Sequence, residues 1–239
     1  VQNARTAGFD NISLDLIYGL PSQTRSDWAD TLAKAIALRP EHISGYGLKL
    51  EEGTPMYALK DSPLIPSDDE QADMYLCMVE ELRRYGYEQY EISNFAQPGY
   101  ESRHNLKYWT LGEYAGFGPG AHSDFGGVRY GYTRDLDGYL AGRLDLAESE
   151  TISAQEREME YIMLRLRTVD GVEEGEYTKS FLLPFEPLEE VFQKLAKQDL
   201  CKNVSGRWRL TPKGFMLSNS IIVLLLEQQQ KSKPLTQKK

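Results

Sequence analysis

The chain has 239 residues, of which 41% are hydrophobic and 26% charged, with a formal net charge of −9. That is the composition of a soluble globular protein, long enough to bury a core in one large domain or two smaller ones. The acidic balance argues against a nucleic-acid partner held by phosphate neutralisation. The two distant cysteines, Cys77 and Cys201, form no CxxC or CxxxCxxC spacing for a structural zinc or an iron–sulfur cluster.

Residues 1–7 followed by Gly8 read as the last turns of a helix with a glycine cap. With neither an initial Met nor a signal-peptide layout, the expectation is that the start of a longer protein is missing. Asn11–Leu20 has the branched apolar character of a strand, with Asp15 as its one acid, and Pro21 stops it. Thr24 and Asp27 then carry a capping signature, and Trp28, Leu32, Ala35 and Ile36 fall on one helical face. A second strand is expected at about 42–50. Ser67 and Glu70 repeat the capping signature ahead of Tyr75, Met78, Val79 and Leu82, and Gly86 closes that helix. Tyr87–Phe95 reads as a third strand. Strands separated by helices of this length imply right-handed crossovers and a parallel sheet, so the first half is α/β.

From Ala96 to Asp135 no long periodic segment is visible, yet six glycines lie between Gly112 and Gly127, and nine of the fifteen tyrosines lie between Tyr85 and Tyr139. A loop of that length is usually functional or disordered, and so many aromatics argue against disorder. Ser153 and Glu156 open a third capped helix with Met159, Ile162, Met163 and Leu166 inward. A helix at about 187–198 is followed by strand-like runs 200–204 and 207–210 around Ser205-Gly206, a tight-turn dipeptide. Thr211-Pro212 opens a last helix. Helices followed by a small hairpin resemble a winged-helix module. The apolar run Ile221–Leu226 is far too short to span a bilayer, and two reduced thiols in a cytoplasmic protein is the default reading of the cysteines.

Three places could carry chemistry. Asp15 lies among residues that look buried on both faces, so it must be paired, hydrogen-bonded or reaching a ligand; an acid satisfied by a neighbouring backbone group or a Ser accounts for it equally well. Gly116-Phe-Gly-Pro-Gly-Ala-His-Ser123 lets main chain approach something flat or bulky, although a tight turn needs the same residues and the dinucleotide fingerprint is absent. His104-Asn-Leu-Lys-Tyr-Trp109 packs a possible iron ligand beside two amphipathic rings. By spacing alone, His104 and Tyr108 could belong to an ordinary hydrogen-bonded loop.

Literal strings go further. Ser13-Leu-Asp-Leu-Ile-Tyr-Gly-Leu-Pro-Ser-Gln-Thr24, Tyr90-Glu-Ile-Ser-Asn-Phe-Ala96, Ser102-Arg-His-Asn-Leu-Lys-Tyr-Trp109 and Gly116–Ser123 occur in this order. They resemble a radical SAM family that comprises oxygen-independent coproporphyrinogen III oxidases (HemN) and related haem chaperones (HemW). The resemblance covers essentially the whole chain, and the His-Asn-x-x-Tyr-Trp segment is similar to the chaperone branch, where it is associated with haem binding.

The resemblance implies an α/β fold: the C-terminal part of a partial (β/α)6 radical SAM barrel over 1–95, a Gly/Tyr-rich pocket and connecting segment over 96–150, a helical winged-helix-like domain over 151–227 and a disordered tail over 228–239. It implies a haem-binding chaperone that delivers haem to target proteins, with coproporphyrinogen III oxidation as the alternative activity. His104 would be the candidate iron ligand, with Tyr108 and Trp109 against the haem. Asp15, Gly118, Gly120 and His122 would line S-adenosylmethionine. A 4Fe–4S cluster would belong to the full-length protein, since its cysteine ligands are absent here. Lys49 departs from the oxidase pattern at another cofactor-lining position, which puts a second S-adenosylmethionine in doubt. The expected partners are haem and haem-receiving proteins, with no nucleic acid, at most peripheral membrane association, and a cytoplasmic location.

Overall fold

The computed structural model describes residues 1–232. The chain is mixed α/β and divides into two compact units. The first comprises Val1–Glu101 with Ala196–Lys202 and Leu210–Ser218; the second comprises Ser102–Leu195 with Asn203–Arg209 and the chain from Asn219 onward.

The first unit runs through α1 (Gln2–Thr6), β1 (Ser13–Tyr18), α2 (Arg25–Ala37), β2 (His42–Gly47), α3 (Asp68–Arg84), β3 (Glu88–Gln89) and β4 (Asn94–Ala96). Both long helices open on the capping boxes read from sequence, Thr24 with Asp27 and Ser67 with Glu70, which satisfy backbone donors that the first turn leaves free. β1 and β2 pair in parallel, from Ser13 opposite His42 to Tyr18 opposite Gly47. The expected third parallel strand is a correction. Segment 87–95 reverses direction, so β4 runs antiparallel to both β2 and β3, and the sheet order is β1-β2-β4-β3. The Tyr90 N–H donates to the Asn94 carbonyl at 3.2 Å, and the Asn94 side-chain amide donates to Glu91, so local polar groups close the turn. Among the described residues this mixed sheet is open rather than closed into a barrel.

One face of the sheet carries the core. Trp28, Leu32 and Ala35 of α2 and Met74, Met78 and Leu82 of α3 are buried with Ile43 and Phe95. The Trp28 indole donates to the Met74 carbonyl at 3.0 Å and stands 5.6 Å from the Tyr18 ring. At Gly45 the helix comes so close that a Cβ would overlap the Met78 sulfur. Strand alternation then places Ser13, Asp15 and Ile17 on the opposite face, and all three are exposed. Asp15 is thus not enclosed on two sides, contrary to the sequence expectation, because β1 buries only one face.

The second unit begins with α4 (Arg103–Trp109), inside the stretch that showed no periodicity. β5 (His122–Phe125), β6 (Val128–Tyr132) and, beyond α5 (Leu136–Leu140), β7 (Leu146–Thr151) form an antiparallel sheet in the order β5-β6-β7. Gly126 and Gly127, at φ +63° and +77°, make the tight β5–β6 turn. The stretch is therefore structured, in elements too short to show a period.

α6 (Ala154–Arg165) opens on the Ser153–Glu156 box. Ile162 and Leu166 are buried as expected, but Met159 and Met163 are only half-buried, while Glu158, Tyr161 and Arg165 are buried. β8 (Val172–Glu173), α7 (Glu174–Phe181) and α8 (Glu186–Ala196) follow. The hairpin β9 (Cys201–Val204) and β10 (Arg207–Leu210) turns at Ser205-Gly206, φ +54° and +81°, and joins β8 in the order β8-β10-β9. Phe192 stacks on Trp208 with ring centroids 5.2 Å apart and planes 7° from parallel. Thr211 caps α9 (Pro212–Met216), and α10 (Ser218–Ser232) completes the described chain. Residues 228–232, expected within a disordered tail, are helical with Gln229 buried; the remainder of that expected tail, 233–239, lies outside the described residues.

Candidate functional site

His104, Tyr108 and Trp109 share the seven-residue helix α4. Ser102 caps it by accepting from the Asn105 N–H at 3.2 Å. At the other end Leu111 takes a left-handed φ of +58°, with Gly112 N–H donating to the Lys107 carbonyl at 2.8 Å and Leu111 N–H to that of Tyr108 at 3.1 Å. This is a Schellman termination with leucine at the strained position. The helix is so short that its caps and packing hold it, not propensity. His104 and Tyr108 are one turn apart and exposed; Trp109 is half-buried. The Tyr108 hydroxyl lies 3.2 Å from His104 Nε2, and the two rings meet edge-on at 4.9 Å. Tyr108 also stands edge-on to Tyr114, 4.6 Å away.

Tyr114 is paired in backbone with Asp124: each N–H donates to the other's carbonyl, at 2.9 and 3.0 Å. Asp124 is gripped by Arg157 and reached by Arg129 at 3.1 Å, and Glu160 accepts from both arginines at 2.8 and 3.2 Å. The Arg157 hydrogen bonds, then those of Arg129, hold the Asp124 carboxyl below the ordinary range against the opposing effect of burial, and burial pushes the Tyr114 phenol up. Tyr108, Leu111, Tyr114, Met163 and Leu164 wall a cleft of about 250 Å³ above this ion-pair network. That volume lies just under the roughly 300–1,000 Å³ of small-molecule pockets.

The glycine-rich segment connects Tyr114 back to Asp124. At Gly116 a Cβ would overlap the His122 carbonyl, so the close approach demanded there is to the chain itself. The Gly116 N–H donates to the buried Ser123 hydroxyl at 3.0 Å. Gly118 and Gly120 adopt φ of +114° and +73°; Gly118 faces open space, whereas Gly120 lies against the Arg134 side chain. His122 sits at the start of β5, exposed, with Nδ1 3.1 Å from Glu148 Oε1 and its ring over Gly131.

Asp15 belongs to the first unit, beside Ser44 in register, with its side chain exposed. Lys49 is exposed and paired with Glu51. Sequence reasoning passed over the neighbouring His42, which is buried between the Ser13 hydroxyl at 2.8 Å on Nδ1 and the Tyr90 hydroxyl at 2.7 Å on Nε2. Burial lowers its pKa, while the charge of Asp15 acts in the opposite direction. It also passed over Tyr114 and the four-residue ion-pair network, whose members run from Asp124 to Glu160 in the chain and whose local signal is the density of tyrosines around them.

The residues present do not fit a 4Fe–4S cluster. Cys77 and Cys201 are both buried and lie in different elements, and burial pushes the Cys201 thiol up to about 12, far from the thiolate a cluster needs. Among the described residues no group of three His, Cys, Asp or Glu is placed to hold a metal ion. Among them, too, no helix is long and apolar enough to cross a membrane.

Residues 152–217 match the family described as the HemN C-terminal domain. The heme chaperone HemW of Lactococcus lactis is 36% identical over 226 residues, covering 92% of this chain and 60% of that protein. That of Bacillus subtilis is 34% identical with the same coverages, and that of Escherichia coli 31% identical over 92% of this chain and 59% of its own. Among solved structures, the radical SAM enzyme coproporphyrinogen III oxidase (HemN) from Escherichia coli superposes with a TM-score of 0.73 at 20% identity, over 94% of this chain and 56% of that one. That likeness is one of fold. The chain spans about three fifths of the length of the curated relatives it matches, and over that span it matches the C-terminal portion of the HemW-like family.

Proposed function

We propose that this chain carries the haem-holding part of a HemW-like chaperone, with haem as cargo and His104 as its iron ligand. The observation that carries the reading is α4: an exposed imidazole and an exposed phenol one turn apart on a capped helix, with Trp109 completing the family's His-Asn-x-x-Tyr-Trp string. A neutral imidazole nitrogen supplies the lone pair for haem iron, and the flanking rings supply flat apolar surface for the macrocycle. Exposure suits a carrier, because an acceptor's own ligand can approach the iron from the free side.

On the same reading residues 1–95 form the late strands and helices of a partial barrel, and the helices and hairpin of 151–227 form a winged-helix-like domain. Asp15, Gly118, Gly120 and His122 are assigned by family resemblance to S-adenosylmethionine contacts. The open space beside Gly118 and the exposed Asp15 carboxylate suit that role; no step of haem carriage is routed through it.

Haem titration of the whole protein tests the proposal. The expected result is a shifted Soret band that His104→Ala weakens or displaces. Equal affinity and an identical spectrum in that variant would remove His104 from the site. Turnover of coproporphyrinogen III with S-adenosylmethionine would favour the oxidase reading instead.

A further inference from the structure

We propose that Tyr114, which lies outside the His-Asn-x-x-Tyr-Trp string, is a positioning residue for the iron ligand: it fixes the Tyr108 ring, which in turn fixes the His104 imidazole. This rests on haem binding at His104.

The geometry is a chain of three rings. His104 meets Tyr108 edge-on at 4.9 Å and 88°, and Tyr108 meets Tyr114 at 4.6 Å and 74°. The two outer members differ in how they are held. His104 is exposed, on a helix of seven residues, and among the described residues its side chain is hydrogen-bonded at Nε2 to the Tyr108 hydroxyl, which leaves Nδ1 as the nitrogen for iron. Tyr114 is half-buried and locked by two backbone hydrogen bonds to Asp124, whose carboxylate is itself fixed by Arg129 and Arg157. Rigidity therefore enters the chain at Tyr114 and passes outward. Exposed rotatable side chains lose freedom when they bind, and a ligand whose rotamer is already restricted loses less. The cleft of about 250 Å³ beside Tyr108 makes the point sharper. Without the Tyr114 ring, Tyr108 would have room to swing into that space and leave His104 unsupported.

Outer-shell partners of metal ligands are worth about 10–100-fold in affinity. In the whole protein, Tyr114→Leu is expected to weaken haem binding roughly tenfold and to broaden or shift the Soret band, while Tyr114→Phe keeps both, because the ring and not the hydroxyl is in contact. Tyr108→Leu should lose a similar amount, and the double variant no more than the larger single loss, since both act through one imidazole. The melting temperature of each variant is read alongside. If Tyr114→Leu does not fold, the Tyr114→Phe spectrum still decides, together with Tyr114→Met, which keeps bulk without a flat ring and should weaken binding. Full haem affinity and an unaltered spectrum in Tyr114→Leu or Tyr114→Met, or additive losses in the double variant, overturn the proposal. If His104→Ala also binds haem as the wild type does, the haem assignment itself fails; if His104→Ala loses binding and the Tyr114 variants do not, only the positioning role fails.

Discussion

Arg157 holds Asp124 with both ends of its guanidinium, Nη1 on Oδ2 at 2.8 Å and Nη2 on Oδ1 at 2.9 Å, and so ties helix α6 to strand β5 across 33 positions of sequence. Both side chains are largely withdrawn from solvent, 24% and 11% exposed. Removing one partner of such a pair strands the other, at about 3–5 kcal/mol when fully buried. Arg129 still reaches Asp124, so Arg157→Ala should cost less, about 2–3 kcal/mol. The urea midpoint measures it. Arg157→Ala with Asp124→Ala should destabilise by less than the sum of the two singles; strict additivity would mean that the pair is not coupled.

That link also shows where the sequence stops being legible. The capping boxes at Thr24, Ser67 and Ser153 and the Ser205-Gly206 turn are local statements, and each is found where the letters put it. The direction of β4 is not local, because it depends on which neighbour accepts the chain after the turn at Tyr90–Asn94. Asp15 was misread for a related reason. An apolar run suggests a strand covered on both sides, but only the neighbouring elements decide whether it is, and β1 is covered on one. In the site, His104, Tyr108 and Trp109 were visible as a string. Tyr114 was not, since its role comes from a ring contact across the end of α4 and a backbone bridge to Asp124.

His42 gives the first unit a pH dependence near neutrality. Burial depresses its pKa in the folded state, so the unfolded chain, with an ordinary value of about 6.5, takes up the proton first. The contribution to stability is full above about pH 6.5 and is lost as the pH falls below that value toward the depressed folded pKa. The midpoint of urea unfolding should therefore drop between pH 7.5 and 5.5. His42→Gln keeps polar groups near Ser13 and Tyr90 without a titrating ring, and its drop over the same range should be smaller. An unchanged drop would assign the dependence to other groups.

A side chain at Gly45 requires the buried end of Met78 to move. A Cβ there overlaps the Met78 sulfur, and overpacking of this kind costs about 1–3 kcal/mol. Gly45→Ala is expected to lower the melting temperature, and adding Met78→Ala should recover part of the loss by opening the space, despite the cavity it makes elsewhere. At Gly116 no such rescue exists, because the overlapping atom is the His122 backbone carbonyl. Gly116→Ala should disturb the hairpin whatever the neighbouring side chains.

The Tyr177 hydroxyl donates to Glu158 Oε1 at 2.6 Å and accepts from Gln229 Nε2 at 2.7 Å, in a pocket where all three residues are buried. Desolvation keeps the phenol protonated far above neutral pH, so the bridge is intact across the working range. It fastens the last turns of α10 to α6 and α7. Tyr177→Phe removes the bridge but keeps the ring against Phe185, and should cost about 1–3 kcal/mol, the range for leaving buried partners without their hydrogen bond. Gln229→Ala should cost about as much as truncation after Glu227, if docking of Gln229 is what residues 228–232 contribute. Limited proteolysis then separates two pictures of this segment. A docked helix end is protected in the wild type and cut faster in Gln229→Ala. A loose tail is cut at the same rate in both, and its removal leaves the melting temperature unchanged.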